Sequence, residues 1–204
     1  MITILDYGLG NVLAFVNVYK RLNIPVSVAK DKNDLVTATK LILPGVGSFD
    51  NAIEQLDQSG MLPSIEKLVF EQEMPILGIC VGMQILARSS DEGKLPGLGW
   101  IDANVRKFDV SSMPIGSYVP HMGWNDVEPI VDSCLFKGMD HDARFYFLHS
   151  YYFECNNRKN IMAETDYGIP FNCAVYKDNV YGVQFHPEKS HHYGSQLLKN
   201  FSEI

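Results

Sequence analysis

The sequence predicts an α/β fold: one domain with a mostly parallel central sheet, helices on its faces, and antiparallel strands added toward the C-terminal half. Three observations carry this. Apolar strand-like runs alternate with helix-periodic segments through residues 1–90, which implies right-handed crossovers between parallel strands. The second half changes to short β-like runs separated by turn signals. A length of 204 residues with 46% apolar content suits one globular unit able to bury a core.

Each element has its own signal. Residues 2–7 form a short apolar run ending in a Gly-rich turn, and 11–22 follow with Leu13, Phe15, Val16, Tyr19 and Leu22 at helical spacing. Residues 25–29 and 40–43 read as the second and third strands, the latter closed by Pro44-Gly45. Residues 48–56 and 63–73 read as helices, with Ser48 as the N-cap of the first. Residues 75–79 are the fourth strand and 81–88 the helix after it. Beyond these, 99–108, 119–127, 145–154, 160–164, 171–176 and 180–185 are β-like. Residues 193–201 close the chain as an amphipathic helix, with Leu197, Leu198 and Phe201 on one side. No repeat, low-complexity tract or linker divides the chain, so 1–204 reads as one domain.

Composition excludes several functions. Lys and Arg number 17 against 24 Asp and Glu, so no basic groove for nucleic acid is expected. No apolar run reaches the roughly 18 residues of a membrane span. The start, MITILDYGLGN, lacks the basic region and cleavage site of a secretory leader. Cys80, Cys134, Cys155 and Cys173 lie far apart without a CxxC pair, which favours reduced thiols in the cytoplasm over a disulfide framework or zinc. The last three read as buried core cysteines. His191-His192 has no third ligand at suitable spacing and reads as a polar loop, so no metal and no cofactor are expected. Gly8-Leu9-Gly10 sits where a dinucleotide fingerprint would, but Leu13 replaces its third glycine, so a tight strand-to-helix turn is the better reading.

The most informative segment is Gly78-Ile79-Cys80-Val81-Gly82. A nucleophile on a sharp strand-to-helix turn needs glycine two residues to either side, because side chains there would collide with it. That turn puts the sulfur at the carboxyl edge of the sheet and at a helix N-terminus, where the helix dipole favours thiolate. A thiolate needs a base. His186 ends a strand, and strand side chains alternate, so Glu188, two residues on, shares its face and both can point toward the sheet's carboxyl edge. The carboxylate would fix the tautomer and stabilise the imidazolium. An oxyanion needs backbone N–H donors: Val81 N–H is one, and the loop Pro44-Gly45-Val46-Gly47-Ser48 is the natural source of a second.

GICVGMQIL together with FHPEKS closely resembles the class I, triad-type glutamine amidotransferases. Further matches are DYGLGN, LPGVGSF, SSDEG, GLG, PHMGWN, FYFLHSYYF and the tail, so the resemblance runs from Asp6 to Phe201. PHMGWN and the HSY segment are similar to the branch formed by the glutaminase subunits of imidazole glycerol phosphate synthase. The resemblance implies a single class I glutamine amidotransferase-like domain with Cys80, His186 and Glu188 as its triad. It implies an oxyanion loop at Val46 and Gly47 whose peptide can sit reversed until the partner is occupied. Gln84 and Glu92 match positions holding the carboxylate and amino group of glutamine, and His149, Ser150 and Tyr151 match a segment contacting substrate. Tyr146, Lys189 and the turn containing His121, Met122, Gly123, Trp124 and Asn125 match surfaces facing a partner. That partner would be a synthase/cyclase subunit with a (β/α)8 barrel, in a 1:1 heterodimer that receives ammonia and serves histidine biosynthesis. Tyr118, often basic in the family, and Trp100-Ile101-Asp102-Ala103, often an Ile-Pro-Gly turn, depart from the pattern where partner identity could change. A paralogous subunit feeding a surface-polysaccharide sugar-modifying partner is therefore an alternative. A stand-alone γ-glutamyl cysteine hydrolase, with no use for PHMGWN or Lys189, is another.

Overall fold

The structure is a computed structural model and describes residues 1–114, 118–140 and 142–204. The first half contains β1 (Ile2–Leu5), α1 (Val12–Arg21), β2 (Val26–Ala29), β3 (Lys40–Gly45), α2 (Phe49–Gln58), α3 (Leu62–Glu66), β4 (Ile76–Cys80) and α4 (Val81–Gln84). The second half adds β5 (Ser89–Ser90), β6 (Ala103–Lys107), β7 (His121–Asp126), β8 (Glu128–Pro129), β9 (Arg144–His149), β10 (Tyr151–Cys155), β11 (Ile161–Asp166), β12 (Pro170–Lys177), β13 (Val180–Val183) and α5 (His191–Glu203).

Eleven strands form one sheet in the order β2-β1-β3-β4-β13-β12-β10-β6-β5, with β11 and β8 branching from β12. The first five run parallel. From β12 the pairing is antiparallel, until β5 pairs parallel with β6 at the far edge. This is the predicted change of character at mid-chain. β1 and β4 are buried at every position and β3 at all but its first, as expected of strands covered on both faces. α1, packed on β1 and β2, buries Phe15, Val16, Val18 and Tyr19. Leu13, assigned above to the packed side, points outward and is 71% exposed.

Several elements differ from the expectation, each for a local reason. The helix after Cys80 ends at Gln84 rather than residue 88, because Arg88 N–H bonds the Ala103 carbonyl and starts the pairing with β6. The run 145–154 breaks at Ser150 into β9 and β10, which join different sheets: β9 pairs only with β7 in a separate two-stranded sheet. PHMGWN, which falls in the run expected to be β-like over 119–127, supplies strand β7. The strand expected through residue 185 ends at Val183, and residues 187–189 form a 3-10 turn. Ser48 occupies the N-cap of α2 without a side-chain bond; Glu92 Oε2 accepts from Phe49 N–H at 2.8 Å in its place. His191-His192 begin α5 instead of preceding it as a loop. Among the four thiols, Cys173 is buried, Cys155 half-buried and Cys134 exposed, since Leu135 and Phe136 take the inward positions of the turn that Cys134 begins.

Candidate active site

The parallel register assembles the site. Gly45 on β3 lies opposite Cys80 on β4, and Ile79 lies opposite Val183 on β13. Three strand ends thus stand side by side. The loop after β3 is on one flank of Cys80 and the segment leading to His186 is on the other. Open α/β sheets bind ligands at this carboxyl edge.

Cys80 has φ 55° and ψ −114°, a left-handed conformation that a non-glycine residue holds only when its surroundings enforce it. The two flanking glycines permit the turn. A Cβ on Gly78 would sit 2.6 Å from the Gly82 carbonyl, and one on Gly82 would collide with the Leu43 carbonyl. Because α4 is a single turn, a long helix dipole does not act on the sulfur; what remains is the local N–H of Val81.

His186 and Glu188 come together, though not by strand alternation. His186 Nδ1 lies 2.9 Å from Glu188 Oε1 because the 3-10 turn curls the carboxylate back beneath the ring. Both side chains are buried, and Glu188 Oε2 has no partner among the described residues, so this carboxylate faces the imidazole alone. Burial works against a charged His186, but its interactions with Cys80 and Glu188 outweigh burial and raise its pKa to about 10. His186 is therefore arranged as an imidazolium between the Cys80 sulfur and the Glu188 carboxylate. Ser190, which the sequence did not flag, latches the turn: its hydroxyl donates to the His186 carbonyl at 2.6 Å and accepts from Tyr146 N–H at 3.0 Å.

A cleft of about 290 Å3 opens beside the sulfur, lined by Val46, Gly47, Cys80, Val81, Gln84, Glu92, Pro120, Leu148, His149, Ser150, Tyr151, His186 and Lys189. All the substrate and oxyanion positions named from the sequence are in it. Both protons of the Gln84 amide are used, toward the carbonyl of Tyr151 and Oε1 of Gln184, each at 3.0 Å. Gln84 therefore offers only its oxygen to a ligand, and Glu92 offers a carboxylate; acceptors of this kind suit an ammonium group. Gly47 has φ +91°, which glycine adopts without penalty. The loop is braced from below. Tyr7, buried and unnoticed in the sequence, donates to the Pro44 carbonyl at 2.6 Å. A Cβ on Gly10 would lie 2.7 Å from Pro44 Cβ, so the DYGLGN glycine serves close packing rather than a phosphate.

The residues assigned from the sequence to a partner-facing surface divide. On β7, Met122 and Trp124 are 60% and 39% exposed, whereas His121 is 2% exposed, stacked on Tyr167 and Phe147. His121 thus departs from its surface assignment, because strand alternation turns it inward, as it does Gly123 and Asn125. Trp124 stacks on His191, and Lys189 Nζ lies 5.7 Å above the Tyr146 ring. No group of three His, Cys, Asp or Glu side chains suited to a metal ion occurs among the described residues. Gln184 and Leu148 also border the sulfur and were missed; Gln184 stood immediately before the FHPE segment without any spacing signal of its own.

A nucleophile elbow, a buried imidazole–carboxylate pair and a flanking glycine loop on one sheet edge define a thiol-dependent acyl-transfer site. The family model for class I glutamine amidotransferases matches residues 3–204, and the chain belongs to that family. Among curated relatives, the imidazole glycerol phosphate synthase subunit HisH of Bdellovibrio bacteriovorus is 61% identical over 204 residues, covering 100% of both chains. The protein of the same name from Leptospira interrogans is 50% identical over 204 residues, again covering 100% of each. Among solved structures, a glutamine amidotransferase is similar with a TM-score of 0.76, covering 99% of this chain and 97% of its own at 20% identity. PurLQS from Thermotoga maritima gives the same TM-score and coverage at 16% identity, a likeness of fold.

Proposed function

We infer that this chain is the glutaminase subunit of an imidazole glycerol phosphate synthase. It would hydrolyse L-glutamine to glutamate and ammonia and pass the ammonia to a synthase/cyclase partner in histidine biosynthesis. The observation that carries the chemistry is Cys80 on its strained turn with the His186–Glu188 pair in the same cleft. The full-length relatives at 61% and 50% identity support the pathway. No observation favours the surface-polysaccharide alternative or the stand-alone hydrolase.

The mechanism follows from the groups. The Cys80 thiolate attacks the side-chain amide carbon of glutamine, and the oxyanion is held by N–H groups of Val81 and the Val46–Gly47 loop. One such donor is worth about 10²–10³ in rate. The C–N bond breaks as the His186 imidazolium gives its proton to the leaving nitrogen, releasing ammonia and leaving a γ-glutamyl thioester on Cys80. Neutral His186 then takes a proton from water, which attacks the thioester, and glutamate departs as the thiolate re-forms. Gln84 and Glu92 accept from the substrate ammonium, while the backbone of the His149–Tyr151 segment contacts the substrate. Free ammonia would mostly protonate in neutral water, so it must reach the acceptor enclosed. That favours a cytoplasmic 1:1 assembly in which Met122, Trp124, Tyr146 and Lys189 face a (β/α)8 barrel.

The test is Cys80→Ala. Glutamine-dependent synthesis by the complex should vanish while ammonia-dependent synthesis persists. Full glutamine hydrolysis in the variant would sink the mechanism.

A further inference from the structure

Gln184 is completely buried, and its Nε2 lies 3.7 Å from Cys80 Sγ. Its orientation is not free. Its Oε1 accepts from Gln84 Nε2, whose other proton goes to the Tyr151 carbonyl. With the acceptor end fixed on Gln84, the donor end faces sulfur. The Tyr151 carbonyl is held in turn by His149 Nδ1 at 2.8 Å, which leaves His149 Nε2 to accept from His121 Nδ1 at 3.0 Å. Asn125 Nδ2 closes the sequence 3.4 Å from His121 Nε2. Burial holds both histidines below the ordinary value, His149 at about 3 and His121 at about 4, with His121 and His186 also opposing charge on His149. They stay neutral at working pH, and the tautomers this network assigns persist.

We propose that Gln184 is a positioning residue for the nucleophile: its side-chain N–H, aimed by Gln84, donates to the Cys80 sulfur and selects the thiolate. A hydrogen bond to an anionic sulfur is stronger than one to a neutral thiol, so the donor favours the charged form. The same bond stabilises sulfur as the leaving group when the thioester is hydrolysed. This rests on Cys80 being the nucleophile, and the experiment separates the two claims.

The full chain is alkylated with iodoacetamide across pH, with Cys80 and Cys134 followed separately by peptide mass spectrometry. In Gln184→Met, of similar length but without a donor, the Cys80 profile should move to higher pH and its rate at pH 7 should fall about tenfold, the loss of one charge-assisted bond. Cys134 should not change. Should the variant not fold, the wild-type chain and Cys80→Ala decide: the Gln184 side-chain amide proton resonances should shift in step with the Cys80 profile and lose that step in Cys80→Ala. Rapid Cys80 labelling with a superimposable profile in Gln184→Met, or a flat Gln184 resonance, overturns the proposal and leaves the nucleophile in place. Wild-type Cys80 labelling no faster than Cys134 removes the nucleophile and the proposal with it.

Discussion

His186 is the residue on which charge and geometry meet. Burial disfavours its cation, yet the Cys80 and Glu188 side chains hold its pKa up near about 10. A raised folded-state value means that the stabilisation is complete below pH 6.5, the unfolded value, and is lost as pH rises through about 10. Glu188→Gln should flatten that loss, measured as urea midpoints at successive pH values. In the proposed mechanism Glu188 orients His186, which transfers protons. His186→Ala should cost about 10⁶ in glutamine turnover and Glu188→Gln distinctly less, about 10⁴. Near-wild-type rates in both variants would place the base elsewhere.

The β7–β9 pair connects the cleft to the exposed surface. It carries His121 and His149 into an aromatic core with Phe147, Tyr167 and Phe171, where burial lowers both pKa values. A lowered value works in the opposite sense from His186. The unfolded chain takes up protons below pH 6.5 that the folded chain refuses until about 4 or 3, so stability falls with acidification across that window. Each histidine contributes a slope of up to about 1.4 kcal/mol per pH unit. His121→Asn should remove one such contribution from the acid limb, read by denaturation between pH 6.5 and 4; an unchanged slope would mean that the ring is already charged when folded. Here the limit of sequence reading is also visible. The buried parallel strands, the elbow and the His–Glu pair were legible because glycine spacing and apolar runs are local signals. The division of 145–154 between two sheets was not, since Ser150 carries no breaker chemistry and the partner β7 is distant in sequence. The shared face of His186 and Glu188 was expected from strand alternation and arises instead from a 3-10 turn. Gln184, Tyr7 and Ser190 were invisible because each acts through one long-range hydrogen bond or two.

Across the whole molecule, the cleft and the outward face of β7 adjoin: Pro120 lines the first, Met122 and Trp124 project from the second, and Lys189 borders both the cleft and Tyr146. In the proposed mechanism the Val46–Gly47 loop, which lines the same cleft as Pro120 and Lys189, supplies an oxyanion donor, so a partner seated there would lie near it. A reversed peptide at Val46–Gly47 removes that donor, and contacts that differ between the two orientations shift the population. Steady-state glutamine hydrolysis should accordingly be lowest for this chain alone, higher with the synthase partner, and highest, by about 10²–10³ over the isolated chain, with acceptor bound. Equal turnover in all three would rule out coupling. The chemistry beneath that coupling is tested most directly by acid-quenching the turning-over complex and mapping covalent adducts by peptide mass spectrometry. A γ-glutamyl thioester on the Cys80 peptide, absent without glutamine, is the predicted result. Sustained glutamate production with Cys80 unmodified and a γ-glutamyl group on another residue would contradict the account.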